Sequence, residues 1–193
     1  MNLIETIYGI MFTPVKTLNT ISKNNLWLAG IILFSVVMIF NMIVNRGIVL
    51  LEPVEQVLAI PNSLIWLVAF IGVIFSVIML FIMSGLYSLL GEIIYQTGNA
   101  KGLLASLGFA SLPGIFAPPL QYIAITAGFT PLSILAPLVI GLWTLALQII
   151  AIRESFELST SQAIFLYLIP MILVIMILIV ILVTISSTIP FYK

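Results

Sequence analysis

Four long stretches without a charged side chain constrain this sequence of 193 residues more than any other feature. They lie at residues 24–45, 56–91, 102–152 and 158–192. A helix needs about 20 apolar residues to cross the hydrocarbon core of a membrane. The longest stretch has room for two such helices with a tight turn, and each of the others has room for one. The pattern therefore predicts five membrane-spanning helices, near residues 26–45, 63–91, 103–127, 132–152 and 163–189.

The composition excludes a water-soluble fold. Only 6% of the residues are charged and 63% are hydrophobic, whereas ordinary soluble domains carry about 25% charged residues. The strands of a membrane barrel would alternate polar and apolar residues, and these stretches do not alternate. Because backbone groups in lipid must be satisfied within the protein, we expect an all-α polytopic membrane protein. Its five-transmembrane-helix bundle is predicted to form one domain over residues 1–193.

Lysine and arginine residues predict which way the bundle faces. Cytoplasmic loops carry an excess of these residues. With a cytoplasmic N-terminus, four of the six fall inside and two outside. The four are Lys16, Lys23, Lys101 and Arg153, and the two are Arg46 and Lys193. The division favours a cytoplasmic N-terminus and, with five spans, an outside C-terminus.

The first 25 residues form an amphipathic segment. One face of a continuous helix here would carry Ile4, Ile7, Tyr8, Met11, Val15 and Leu18. Thr13 and Pro14 are typical of an N-cap and a first helical residue, which predicts two short helices. The segment lies in the interface of the cytoplasmic leaflet, with its lysines near anionic headgroups, or packs under the helix bundle, and the two arrangements are compatible.

The third span combines small residues with prolines. A stripe of small residues recurs at every fourth position and would let another helix approach closely; it consists of Gly102, Ser106, Ala110 and Gly114. Three prolines remove backbone donors and should break the helix; they are Pro113, Pro118 and Pro119. Such a break requires neighbouring protein groups, so we expect this span at the centre of the bundle. Gln121 could satisfy freed carbonyls.

The sequence contains no His, Cys or Asp. Without them, the usual nucleophile–base pairs and metal sites cannot be built, so we expect no enzyme activity, cofactor or metal. No basic patch is large enough for nucleic acid. Glu92 has two interpretations. It is either an interfacial carboxylate that pairs with Lys101, or a functional carboxylate that faces a cytoplasmic cavity.

Three short motifs resemble the Yip domain family, which is named for binding Ypt/Rab GTPases in eukaryotes. They are the run Phe12-Thr13-Pro14-Val15-Lys16-Thr17-Leu18, the run Gly108-Phe109-Ala110-Ser111-Leu112-Pro113, and the run from Arg153 to Ser159. The second run is similar to the family's Gly-Tyr-Ser/Ala-x-x-Pro signature, with Phe109 where Tyr is usual. The candidate motif residues are therefore Gly108, Phe109, Ser111 and Pro113, together with Pro118, Pro119, Gln121 and Glu92.

The resemblance implies a five-span scaffold of the kind that acts in membrane shaping and vesicle trafficking. The long acidic N-terminal region and the Asp-Leu-Tyr-Gly-Pro motif of eukaryotic members are missing, so the resemblance points to a prokaryotic-type member in the cell membrane. A small-GTPase partner is not expected. The expected partners are the lipid bilayer, further copies of the chain, or other membrane proteins.

Two functions remain open from the sequence. The first is a non-enzymatic scaffold that organises membranes through partner proteins or lipids. The second is a small transporter or channel whose pathway is lined by the proline-broken third span, because discontinuous helices build binding sites in transporters.

Overall fold

The structure, a computed structural model, describes residues 3–24, 26–51 and 62–188. Its α-helices are α1 (Leu3–Phe12), α2 (Pro14–Lys23), α3 (Trp27–Leu51), α4 (Asn62–Tyr95), α5 (Ala100–Ala110), α6 (Ala117–Thr126), α7 (Thr130–Phe156) and α8 (Thr160–Thr188). A 3-10 helix, Leu112–Phe116, joins α5 to α6. Within these ranges no strand occurs, so the all-α fold class is confirmed.

Five segments of the described chain are long and apolar enough to cross a membrane. They are Trp27–Val49, Trp66–Tyr95, Ala100–Thr126, Thr130–Phe156 and Thr160–Thr184. These segments confirm the five predicted spans, and their bounds differ from the predicted ones by a few residues. Between the first two spans, Val54, Val57, Leu58 and Ile60 predict a short interfacial helix, but these residues lie outside the described ranges.

The third span is broken where the prolines predict. It consists of α5, the 3-10 helix and α6. Pro113 lies in the first turn of the 3-10 helix and is fully buried. Beside it, the Ser111 hydroxyl donates to the Gly108 carbonyl at 2.7 Å. Pro118 lies in the first turn of α6, where a missing N–H leaves no helical hydrogen bond unmade.

Helix α5 lies at the centre of the bundle. Every residue from Gly102 to Ala110 is buried, and α5 packs against α2, α3, α4 and α7. Its closest neighbour is α3, where Gly30 faces α5. A Cβ atom at Gly30 would lie 2.8 Å from the Ala105 Cα, and one at Gly108 would overlap the Gly30 backbone. Two backbones can approach this closely only because both helices present glycine.

The N-terminal segment forms two helices, α1 and α2, that meet at Thr13. The Thr13 hydroxyl does not cap α2 but donates back to the Gly9 carbonyl at 3.2 Å. The single apolar face expected over this segment is wrong, because the break at Thr13 interrupts the helical period. Leu18 is fully buried, whereas Tyr8 and Val15 are exposed. The segment packs on the bundle, and α1 keeps an exposed apolar ridge formed by Ile4, Tyr8 and Phe12.

Helices α4 and α8 are the most exposed of the long helices. They approach each other where the rings of Tyr87 and Tyr167 stack with centroids 6.1 Å apart. The Tyr167 hydroxyl also donates to the Gln148 side chain on α7, at 3.1 Å. Beyond the buried Pro170, every residue from Met171 to Thr184 is exposed. Helix α8 therefore has a packed first part and a second part that no described element covers.

Candidate functional site: a polar pocket between three helix ends

An open pocket of about 370 Å³ lies where three helix ends meet. Its walls come from the end of α2, from the connection between α4 and α5, and from the end of α7. The lining residues are Ser22, Lys23, Thr97, Gly98, Asn99, Glu154, Ser155, Phe156 and Glu157. We call this region the polar end of the bundle and the cavity the polar pocket.

The α4–α5 connection contributes a left-handed residue and an unpaired hydroxyl. Gln96 has a φ of 57°, in the region that non-glycine residues rarely adopt. The next residue, Thr97, has a buried hydroxyl oxygen that makes no hydrogen bond with any described residue. Asn99 then caps α5, because its Oδ1 accepts from the Gly102 N–H at 2.9 Å. The connection is held in place, yet it leaves one polar group in the wall unsatisfied.

The end of α7 contributes a second left-handed residue. Glu157 has a φ of 55°, and the Leu158 N–H behind it donates to the Arg153 carbonyl at 3.0 Å. The Glu157 carboxylate pairs with Lys23 of α2 at 3.0 Å, and both side chains are largely exposed. An exposed pair of this kind contributes about 0–1 kcal/mol. The pair therefore lies at the open side of the polar pocket but adds little to the stability of the fold.

Glu154 is the carboxylate at the polar end that hydrogen bonds hold in one position. One carboxylate oxygen accepts from the Asn19 amide at 2.9 Å, and the other accepts from the Arg153 Nε at 2.9 Å. Arg153 in turn donates to the Thr160 hydroxyl at 3.2 Å. The Glu154 side chain is only 15% exposed, and it thus joins α2, α7 and the start of α8.

A second open groove, of about 400 Å³, lies on the other side of α2. Its lining consists of Thr13, Pro14, Val15, Lys16, Asn19, Thr20 and Glu154. Glu154 therefore borders both cavities. Below it, Ser106 of α5 donates to the Leu18 carbonyl at 3.4 Å and accepts from the Ser155 hydroxyl at 3.4 Å. The first bond attaches α2 to α5, and the second joins α7 to α5.

Comparison with known families shows to which family the chain belongs. A family model described as the Yip1 domain matches residues 8–182, from within α1 to within α8. The chain belongs to the Yip1 domain family. The match confirms the resemblance seen in the sequence motifs and, with the five spans, makes the chain a multi-pass membrane protein. No curated protein and no solved structure matches it.

The small-residue positions of this Yip1 domain fall into two environments. Gly102 faces α2, where an added Cβ would lie 2.6 Å from the Ser22 carbonyl oxygen. Ser106 and Ala110 are fully buried. Gly114, in contrast, lies beyond the end of α5, and an added Cβ there would meet nothing within 4 Å. The close packing of the stripe thus ends with α5.

The other predicted positions of the Yip1 domain are dispersed. Phe109 is buried in the core, and Pro118 is buried in α6, with Pro119 beside it. Gln121 makes no hydrogen bond to any part of the chain that the structure describes, so the bonds expected from it to freed carbonyls are not present. The structure does not bring these residues together with Glu92.

Glu92 lies in the last turn of α4, at the polar end. Its side chain is exposed, and no ion pair with Lys101 forms among the described residues. Glu92 does not line the polar pocket, although the residues that follow it do. Whether this carboxylate has a function stays a prediction.

Sequence reasoning missed most residues of the polar pocket. Ser22, Asn99 and Glu154 come from α2, the α4–α5 connection and α7, and no local motif connects them. One signal was available, because four of the six lysine and arginine residues are predicted on the same side of the membrane. That clustering indicates a polar end but does not indicate which side chains meet.

Proposed function

We propose that this Yip1 domain is a non-enzymatic, membrane-organising scaffold that engages partner proteins or lipids at its polar pocket. Family membership is consistent with a membrane-organising or trafficking role. The observation that carries the proposal is the distribution of polar groups: the open pockets, both left-handed non-glycine residues and the ion pairs gather at the polar end.

The packing of α5 favours the scaffold over the transporter. A pathway along the third span would need space beside α5, but this helix is enclosed on all sides from Gly102 to Ala110. Its contacts with α3 are made at backbone distance through Gly30. An enclosed helix of this kind favours a rigid scaffold. In the 3-10 helix that follows it, Pro113 and Leu112 are also buried, so they leave no space for a pathway there.

The backbone of the polar pocket supports a binding role. A non-glycine residue in the left-handed region costs roughly 1–2 kcal/mol, and helices usually end there with glycine. Gln96 and Glu157 both occupy such positions. The buried Thr97 hydroxyl adds a polar group that lacks a partner within the described ranges of the chain. Strain and unsatisfied groups of this kind cluster at functional sites.

We also propose that the described helices form one domain with the polar end in the cytoplasm. Helix α5 contacts helices from both halves of the chain, which supports a single unit. Lys16, Lys23, Lys101 and Arg153 all lie towards the polar end, in agreement with the excess of such residues in cytoplasmic loops. Because the chain contains no cysteine, labelling a single Lys23→Cys variant in intact cells tests this orientation. Labelling by a reagent that does not cross the membrane would contradict it.

The transport alternative is tested with purified protein in liposomes. We expect no flux of protons, small ions or amphiphiles above that of empty liposomes. Flux that is lost in Glu92→Gln, with folding retained, would overturn the scaffold and support a transporter.

The docking role is tested by crosslinking from Lys23→Cys at the mouth of the polar pocket. We expect a defined adduct with one membrane protein or lipid. The matched control is Lys101→Cys, an exposed position of α5 outside the pocket lining, which should not give that adduct.

The yield of the adduct should fall severalfold when Thr97→Val is added, because this variant removes one hydrogen-bonding hydroxyl. An unchanged yield in Thr97→Val, or an adduct that forms equally from the control, would contradict docking at the polar pocket.

A further inference from the structure

Arg46 lies near the end of α3 that is remote from the polar end. Its guanidinium carbon sits 4.4 Å from the centre of the Trp66 ring, at the start of α4. The Arg46 Nη1 atom is buried and has no hydrogen-bond partner among the residues that the structure describes. Among the described residues the ion pairs are those of Lys23 with Glu157 and of Arg153 with Glu154, so no described carboxylate compensates Arg46.

A guanidinium in this position requires an acceptor. A charged donor that is buried without a hydrogen bond is costly, and the Trp66 ring compensates the charge through one face only. The other arginine, Arg153, shows the usual solution, since a carboxylate and a hydroxyl accept from it. The described part of the chain thus supplies no acceptor for the Arg46 Nη1 atom.

The surroundings of Arg46 indicate the level of the lipid headgroups. Arg46 lies within the last turns of the first membrane span, Trp27–Val49. Trp66 begins the second span, and the ring of Tyr122 on α6 lies next to Gly47, 3.2 Å from where a Cβ atom would be. Trp66 and Tyr122 are both partly exposed. Tryptophan and tyrosine concentrate at this level, with the ring in the apolar layer and the polar group at the headgroups.

We propose that Arg46 and Trp66 form a binding site for the phosphate group of a phospholipid. The forked N–H groups of a guanidinium match two phosphate oxygens. The acyl chains would lie along the exposed apolar side of α4. The site is independent of the polar pocket and lies at the opposite end of the bundle.

The test uses Trp66 as the reporter. The chain has three tryptophans, so a Trp27→Phe/Trp143→Phe background leaves Trp66 alone. Purified protein in detergent is titrated with dioctanoyl phosphatidylglycerol, with dioctanoylglycerol, which lacks the phosphate, and with inorganic phosphate. We expect a saturable change in Trp66 fluorescence with the phospholipid, and no change with the other two at the same concentration.

Three variants locate the site. Arg46→Gln should weaken phospholipid binding about tenfold, the equivalent of one charge-assisted hydrogen bond. Arg46→Lys keeps the charge and should fold even where Arg46→Gln does not; it should bind several-fold more weakly than the parent because it lacks the forked donors. Lys101→Gln removes an exposed cation at the polar end and should bind like the parent.

Several results would overturn the proposal. Unchanged binding in Arg46→Gln or in Arg46→Lys would exclude a guanidinium site. An equal response to dioctanoylglycerol would show that only acyl chains bind. An equal response to inorganic phosphate would assign a soluble anion in place of a lipid. A loss in Lys101→Gln as large as that in Arg46→Gln would show nonspecific charge attraction.

Discussion

The third and fifth spans of this bundle have opposite surroundings. Of the most apolar stretch of the third span, 67% is buried inside the protein, whereas the corresponding figure for the fifth span is 11%. Yet the third span is the least apolar of the five and the fifth is the most apolar. In a membrane, hydrophobicity does not draw helices together, because lipid is as apolar as leucine. Burial follows the small residues of α5, and the large aliphatic residues of α8 stay in lipid.

Enlarging a glycine of α5 should destabilise the bundle more than any change on its exposed helices. Gly108→Leu should lower the free energy of unfolding by about 3 kcal/mol, the upper end for overpacking, because the side chain would collide with the Gly30 backbone. Gly72→Leu on α4 is the matched control, since an added Cβ there meets nothing within 4 Å. Thermal unfolding in detergent measures both. Equal melting temperatures would contradict the close contact of α3 and α5.

A smaller effect is expected from filling the remaining small positions of α5. Ser106→Leu and Ala110→Leu should each lower the free energy of unfolding by about 2 kcal/mol, because both residues are fully buried. Ser106→Ala, which adds no volume, serves as the control and should cost about 1 kcal/mol for its lost hydrogen bonds. Chemical unfolding followed by fluorescence distinguishes these outcomes. Native stability in both leucine variants would show that α5 is not tightly packed.

The polar end contains a largely buried carboxylate, Glu154, and a largely exposed carboxylate, Glu157. Glu154→Ala leaves Arg153 and Asn19 without their acceptor and should cost about 1–2 kcal/mol. Glu157→Ala removes only an exposed ion pair and should change stability by less than about 1 kcal/mol. Measuring both at low and high salt separates them, because salt screens exposed pairs. A larger loss of stability in Glu157→Ala than in Glu154→Ala would contradict the view that Glu154 is the carboxylate held by hydrogen bonds.

The smallest effect belongs to the exposed part of α8. Val180→Ala should change the free energy of unfolding by less than about 0.5 kcal/mol, as for other surface substitutions, since lipid replaces the lost methyl groups. Leu103→Ala in α5 is its buried counterpart and should cost about 2–5 kcal/mol. If both variants unfolded at the same temperature, the difference between the two spans would not be one of packing.

The sequence alone was sufficient for the spans, because their number depends on charge-free lengths that a membrane imposes. It also placed the break in the third span, since proline acts locally on the backbone. The polar pocket was not predictable, because Lys23 and Glu157 meet only after α2 folds back on α7. The contact of Gly30 with Gly108 was missed for the same reason. A small residue predicts that another helix packs closely against it, but a single sequence does not indicate which helix that is.

Pro170 has a consequence for how the protein responds to its bilayer. It stands where the packed part of α8 ends and the lipid-exposed part begins, and it removes a backbone hydrogen bond at that point. The tilt of a span is set by packing where neighbours exist and by hydrophobic thickness where they do not. Changes in bilayer thickness therefore act on α8 beyond Pro170, while the enclosed α5 keeps its orientation. The same molecule thus combines a fixed central helix with one that adjusts to the depth of the membrane.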